Sequence, residues 1–196
     1  MPQKPTVLLI GDSICMGYRP FVKQKLEDKV KIVGVDDNGG DSGNILQHFD
    51  KWLLDTDLDL IHFNCGLHDM KVNRQSGEHQ QPLDVYEKNL KEIVKRLKDE
   101  TKAKLVWATI TPVIDERHNA VKDFNRHQKH VEAYNKVATP IMTEAGITID
   151  DLFSVIINDK VEDCLLGDGV HMSEHGNELL TEAVSNCILK ETFDVK

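Results

Sequence analysis

Short apolar runs recur along this chain with helical segments between them, and that alternation limits the folds open to it. Thr6 to Ile10, Val30 to Val35, Leu58 to Asn64 and Lys104 to Ile110 each read as a strand, and Gly146-Ile147-Thr148-Ile149-Asp150 reads as a cap glycine and a fifth strand. The intervening segments predict a helix over about Arg19 to Lys29 and an amphipathic stretch from Ser42-Gly43-Asn44 to about Leu54. Val85 to Lys98 has Leu90, Ile93, Val94 and Leu97 at helical spacing. A long helix is expected over Asn125 to Ala145, kinked at Pro140, and a last one over Ser173 to Leu189 with Ser173 as N-cap. Strands that are apolar throughout are buried on both faces, and parallel strands need long crossovers. The expected architecture is therefore α/β, a three-layer α/β/α sandwich around an about five-stranded parallel sheet. In such sheets ligands bind beyond the carboxyl ends of the strands.

The 196 residues fit a single domain spanning 1–196, with no repeat, low-complexity tract or linker to divide it. Thirty-three acidic residues against 24 Lys and Arg leave a net charge of −9, which argues against a nucleic-acid partner. No apolar run approaches the roughly 20 residues of a membrane span. The start, Met1-Pro2-Gln3-Lys4-Pro5, lacks the apolar region of a secretory signal, so the chain as written is expected in the cytoplasm, with a secreted or periplasmic place the alternative if a signal has been removed. Cys15, Cys65, Cys164 and Cys187 form no CxxC pair and read as idle or buried thiols, Cys15 and Cys65 packing near the site. His118, His127 and His130 read as solvated histidines, His175 as exposed, and Asp36-Asp37 as a loop-fixing pair; none supplies a matching metal-ligand set, so neither metal nor cofactor is expected.

The chemistry gathers at strand ends. Leu8-Leu9-Ile10 runs into Gly11-Asp12-Ser13, and Asp168-Gly169-Val170-His171 stands roughly 160 residues later, before the terminal helix. A serine hydroxyl needs a base within hydrogen-bond reach, and the base needs an orienter. Asp168 and His171 are close enough in sequence to supply both, the carboxylate holding one imidazole nitrogen while the other faces Ser13. Acyl transfer also needs donors for the developing oxyanion. The Ser13 N–H at a helix start is one candidate and the N–H of Gly43, which has no Cβ to obstruct approach, another. A third is expected from Gly66-Leu67-His68-Asp69, directly after the third strand.

These blocks resemble the GDSL, or SGNH, hydrolase family: Gly11-Asp12-Ser13 the first, Ser42-Gly43-Asn44 the second, Gly66-Leu67-His68-Asp69 the third and Asp168-Gly169-Val170-His171 the last, spread from about residue 6 to residue 190. The resemblance implies a flavodoxin-like fold and a metal-free esterase or acylhydrolase. It implies Ser13 as nucleophile, His171 as base, Asp168 as its orienter, and the Ser13 and Gly43 N–H groups as oxyanion donors. The family's asparagine in the third block is His68 here. An imidazole N–H also donates, and His68 is expected to act with a pH dependence below about pH 6.5; the other reading is a chain that has lost part of its oxyanion hole.

Asp12, Asn44, Asp69 and Arg74 are the candidate substrate contacts, with Asp12 also expected to fix its turn, Asp69 to hold its loop and Arg74 to lie on the surface. Residues 36–44 and the long loop 70–83 are polar and aromatic content is 6%, which suits a small acyl group on a polar alcohol such as an acetylated sugar. The expected partner is a small-molecule or carbohydrate ester; the oligomeric state stays open. A lysophospholipase or thioesterase of the same chemistry is the alternative. Two other classes are a non-catalytic sugar-binding relative and a phosphate-binding or signalling domain with Asp12, Asp36 and Asp37 as an acidic pocket. The second leaves the Asp168 to His171 element without a role and lacks a glycine-rich phosphate loop.

Overall fold

The computed structural model describes residues 3–53 and 57–193; Leu54, the expected end of the second amphipathic stretch, lies outside them. The strands are β1 (Thr6–Ile10), β2 (Lys31–Gly34), β3 (Leu60–Phe63), β4 (Val72–Asn73), β5 (Lys104–Ala108), β6 (Phe124–Asn125) and β7 (Thr148–Asp150). The helices are α1 (Ser13–Lys25), α2 (Ser42–Gln47), α3 (Phe49–Leu53), α4 (Leu83–Glu100), α5 (Asp115–Val121), α6 (Gln128–Glu144), α7 (Leu152–Ile157), α8 (Val161–Cys164) and α9 (Glu174–Phe193).

Five strands form one parallel sheet in the order β2-β1-β3-β5-β7. Leu8 lies opposite Val33 on one side and Ile61 on the other, so β1 is interior to the sheet. Val7, Leu9, Leu60, Ile61, Val106 and Trp107 are all at 0% exposure, as all-apolar strands require, and Phe63 meets Trp107 edge-to-face with ring centroids 5.2 Å apart. Helices α1 and α9 pack together on one face; α2, α4 and α6 pack in series on the other. From β1 the chain crosses outward to β2, then returns past β1 to β3. The connections leaving β1 and β3 therefore diverge and open a crevice at the carboxyl ends of those two strands. Gly11 to Ser13 leave one side of it and Asn64 to Asp69 the other.

Helix α1 begins at Ser13, well before the expected Arg19. The cause is local: Asp12 is an N-cap whose Oδ1 accepts from Ile14 N at 2.9 Å. Helix α9 starts as expected, with the Ser173 hydroxyl accepting from Gly176 N at 3.1 Å. Helix α6 continues through Pro140 to Glu144, losing one backbone hydrogen bond on the way. Residues 70–83 are not the irregular loop expected. Val72 bridges His79 in antiparallel fashion, β4 pairs with β6, and Gln80 N and Gln81 N donate to Lys71 O and Asp69 O at 2.8 and 2.9 Å. The polar side chains there conceal a hairpin whose partner strand lies about fifty residues further along the chain. Among the described residues, no helix is long and apolar enough to cross a membrane.

Candidate active site

Asp12 being the cap, the Ser13 side chain is left free at the first position of α1, where its N–H has no intrahelical acceptor. Its Oγ lies 3.0 Å from His171 Nε2, across 158 residues of sequence. The other ring nitrogen, Nδ1, lies 2.5 Å from Asp168 Oδ2. A carboxylate can only accept, so Nδ1 donates, leaving the Nε2 lone pair to accept from the serine hydroxyl. Asp168 Oδ1 accepts from the N–H groups of Val170 and His171 at 3.1 and 3.0 Å. Partial burial pushes the Asp168 carboxyl upward, but the His171 side-chain and backbone hydrogen bonds with that of Val170 outweigh it and bring it down to about 2. It is an anion at neutral pH.

The loop carrying Asp168 and His171 is shaped by Gly169, at φ 69°, where an added Cβ would come within 2.5 Å of Ile114 O. Ile114 N donates to Gly169 O at 2.8 Å, and Arg117 Nη1 reaches Glu162 O and Leu165 O at 3.1 and 3.2 Å. Helix α5, not foreseen in the sequence, thus abuts the Asp168 loop. His118 on this helix, expected in solvent, is at 0% exposure against Phe124. Burial first, then the nearby Arg126 charge, pulls it down to about 4, so the ring stays neutral.

Across the crevice, Gly43 is the second residue of α2, capped by Asp41 through Asn44 N at 2.8 Å, so its N–H also lacks an intrahelical acceptor. A Cβ there would meet Gln81 Nε2 at 3.0 Å and Asp41 Oδ1 at 3.2 Å. The base of the 71–81 hairpin therefore abuts this helix start. His68 follows β3, with Lys71 Nζ 3.0 Å from its Nδ1. Burial, then the Lys71 and Arg126 charges, takes His68 down to about 3. The expected change of charge near pH 6.5 is thereby overturned: the ring is neutral across that range.

Each of the four candidate substrate contacts makes a hydrogen bond within the protein; Asp12 fixes its turn, Asp69 holds its loop and Arg74 lies on the surface, as expected. Asp12, at 1% exposure, caps α1. Asp69, at 0%, accepts from Ser42 N with both oxygens at 3.0 Å and from the Ser42 hydroxyl, locking the third block to the second; burial carries it up to about 7 against those hydrogen bonds. Asn44 Nδ2 donates to Gly39 O at 2.9 Å, closing its own loop. The Arg74 guanidinium donates to Asn119 O, tying the hairpin to the end of α5. Each of the four makes at least one hydrogen bond to backbone, while Asp12 Oδ2 is buried with no partner among the described residues.

Two cations near the site went unnoticed in the sequence. Lys71 stands three residues after His68, a spacing that hinted at contact. Arg126, 5% exposed, donates from Nε to Leu67 O at 2.8 Å and lies against Phe124, with Asp12 and Asp168 the carboxylates that act on its charge. No local pattern marked it. The thiols are as expected: Cys15 and Cys65 are buried, and burial raises both, Cys15 to about 12, so neither is a thiolate near neutral pH. Their proximity to the site is a matter of packing. His175 is exposed, as expected.

Known proteins resemble this chain in sequence and in fold. The rat (Rattus norvegicus) protein named isoamyl acetate-hydrolyzing esterase 1 homolog is 26% identical over 90% of this chain and 78% of its own length. The crystal structure of a lipase/acylhydrolase from Enterococcus faecalis superposes with a TM-score of 0.80 at 20% identity, covering 94% of this chain and 95% of that one. An acetylxylan esterase from Geobacillus stearothermophilus superposes at 0.73 with 19% identity, covering 98% and 96%. These two likenesses establish the shared fold. The model of the GDSL-like lipase/acylhydrolase family matches residues 9–179, from within β1 to within α9 and across all four sequence blocks, so the chain belongs to that family and is a carboxylic ester hydrolase of the GDSL type.

Proposed function

We propose that this protein is a metal-independent serine esterase that removes a short acyl group, acetyl foremost, from a polar alcohol such as a carbohydrate. The observation that carries the reading is the continuous line from Ser13 Oγ to His171 Nε2 at 3.0 Å and from His171 Nδ1 to Asp168 at 2.5 Å. Ser13 Oγ attacks the ester carbonyl while its proton passes to His171 Nε2, and Asp168 offsets the positive charge on the ring. The oxyanion is received by the N–H groups of Ser13 and Gly43 and by His68. Collapse breaks the bond to the alcohol oxygen, which takes the proton from Nε2 and leaves. Water, deprotonated by His171, then attacks the acyl-serine and releases the acid and free Ser13.

Two features support a small acyl group on a polar alcohol. Behind Ser13, an interior void among Asp12, Ile14, Leu67 and Ile110 holds only about 10 Å³, so no deep acyl tunnel opens there. A larger groove of about 480 Å³ runs along the hairpin, lined by Lys71, Asn73, Glu78, Gln80 and Phe124, hydrogen-bonding groups beside an aromatic ring. The printed names of the acetate- and acetylxylan-cleaving relatives point the same way.

The test is hydrolysis of p-nitrophenyl acetate, butyrate and octanoate with EDTA present, followed by acetylated xylo-oligosaccharides against isoamyl acetate. Ser13→Ala is expected to lower kcat by at least about 10⁴-fold, and the wild-type rate to fall with chain length. Turnover that persists in Ser13→Ala ends the serine mechanism. A preference for octanoate ends the short-acyl assignment and favours a lysophospholipase or thioesterase.

A further inference from the structure

His68 stands where the family pattern has an asparagine. An asparagine amide always presents N–H donors, whereas an imidazole can carry its proton on either nitrogen or on both. Left in water it would exchange between those forms and become a cation below about pH 6.5. A histidine in this position needs something to hold its proton on the nitrogen that faces the substrate.

Lys71 is placed to do this. Its Nζ is 3.0 Å from His68 Nδ1. An ammonium has three donors and no acceptor, so Nδ1 must present its lone pair, and the proton of the neutral ring resides on Nε2. Nε2 has no hydrogen-bond partner among the described residues and is open to solvent. The lysine is itself held in place. Its backbone N–H donates to His68 O at 3.3 Å, its carbonyl accepts from Gln80 at 2.8 Å, and its Nζ lies 5.0 Å from the centre of the Phe124 ring. The groups acting on His68 are Lys71, Arg126, Asp41 and His171, and Lys71 and Arg126 outweigh the one acid; burial and the Arg126 charge lower the Lys71 ammonium in turn. The same contact that selects the tautomer also opposes a second proton.

We propose that Lys71 is a positioning residue of the oxyanion hole: by donating to His68 Nδ1 it holds His68 as a neutral Nε2–H donor, so that a histidine serves in place of the family's asparagine. This rests on the reading of His68 as an oxyanion donor. The arrangement also separates two imidazoles in one site, one that must take a proton and one that must not.

The tautomer is read directly on the wild-type protein by long-range ¹H–¹⁵N NMR of histidine-labelled enzyme, where a single Nε2–H form is expected for His68. Lys71→Met, which keeps the aliphatic stem, is expected to mix the tautomers and to lower kcat on p-nitrophenyl acetate about tenfold with little change in KM. It should also add an inflection toward about pH 6.5 in the kcat profile. Lys71→Arg should restore most of the rate. In a His68→Asn background, Lys71→Met should cost less than about twofold, because an amide has no tautomer to hold. An Nδ1–H form in the wild type, or an equal loss from Lys71→Met in both backgrounds, overturns the proposal. His68→Ala is expected to lose at least about tenfold. If it does while Lys71→Met alters neither rate nor tautomer, His68 remains a donor and the role of Lys71 falls. If His68→Ala runs at the wild-type rate, the donor reading falls and takes the proposal with it, while Ser13→Ala separately decides the serine mechanism.

Discussion

Two histidines meet at the carboxyl ends of the strands, and their surroundings are opposite. His171 has a carboxylate 2.5 Å from Nδ1; His68 has an ammonium 3.0 Å from the same atom. The carboxylate makes Nδ1 a donor and frees Nε2 to accept a proton. The ammonium makes Nδ1 an acceptor and leaves Nε2 a donor. On the proposed reading one side-chain type serves as a base on one wall and as a hydrogen-bond donor on the other, the difference lying in the partner on the far side of the ring. The supporting backbones differ as well. The His171 loop is a tight turn on Gly169 pressed against α5, whereas the His68 turn continues into a hairpin held by backbone pairing to β6.

The strongest way to break the contrast is to reverse the carboxylate's role. Asp168→Asn can present an amide N–H to Nδ1, drive the proton to Nε2 and remove the base; kcat is expected to fall about 10³–10⁴-fold with KM nearly unchanged, as measured on p-nitrophenyl acetate. A loss below tenfold would mean that Asp168 does not set the ring's tautomer. The two backbones are compared with glycine substitutions. Gly169→Ala places a Cβ at positive φ within 2.5 Å of Ile114 O and is expected to cost about 1–3 kcal/mol in denaturant unfolding. Gly77→Ala, at the hairpin tip with φ 75° and nothing within 4 Å, meets only the backbone preference and should cost about 1 kcal/mol or less. Equal costs would show that the packing of α5 against the Asp168 loop contributes nothing.

The smallest expected effect is on stability against pH. His68 lies at about 3 in the folded chain and near 6.5 when unfolded, so below 6.5 the unfolded chain binds the extra proton first. Its contribution is present above about pH 6.5 and is lost as pH falls toward 3. Asp168, depressed to about 2, contributes above its ordinary value of 3.8 and loses that contribution only as pH falls from there toward 2. Thermal melts should therefore show His68→Asn flattening the slope between pH 6.5 and 4. A His68→Asn slope equal to wild type would return His68 to an ordinary titration.

The sheet was legible because its strands are buried on both faces, which leaves an unbroken apolar run such as Thr6 to Ile10 or Leu58 to Asn64. Strand ends then located Ser13, Gly43 and the Gly66 to Asp69 turn at one edge. The hairpin at 71–81 was not legible. A two-residue strand like Val72–Asn73 has no periodicity, and its partner Phe124–Asn125 is distant in sequence. Helix α5, with only His118 buried and polar neighbours, carries no amphipathic stripe, and so His118 was placed in solvent. Asp12, Asn44 and Asp69 are candidate substrate contacts from the sequence, with Asp12 also expected to fix its turn and Asp69 to hold its loop. In the folded chain the Ile14, Ser42 and Gly39 backbone groups reach them first.

By itself the sequence determined the class of fold, the edge of the sheet where the chemistry gathers, and the residue types that gather there. Those depend on hydrophobic period and on residues adjacent in the chain. The tertiary structure alone decided which charged group each ring of His68 and His171 meets, and that His68 and His118 are buried enough to stay neutral. A proton's position depends on burial and on the charge a few ångströms away, and Arg126 beneath Leu67, like Ser13 beside His171, reaches its place only when distant segments fold together.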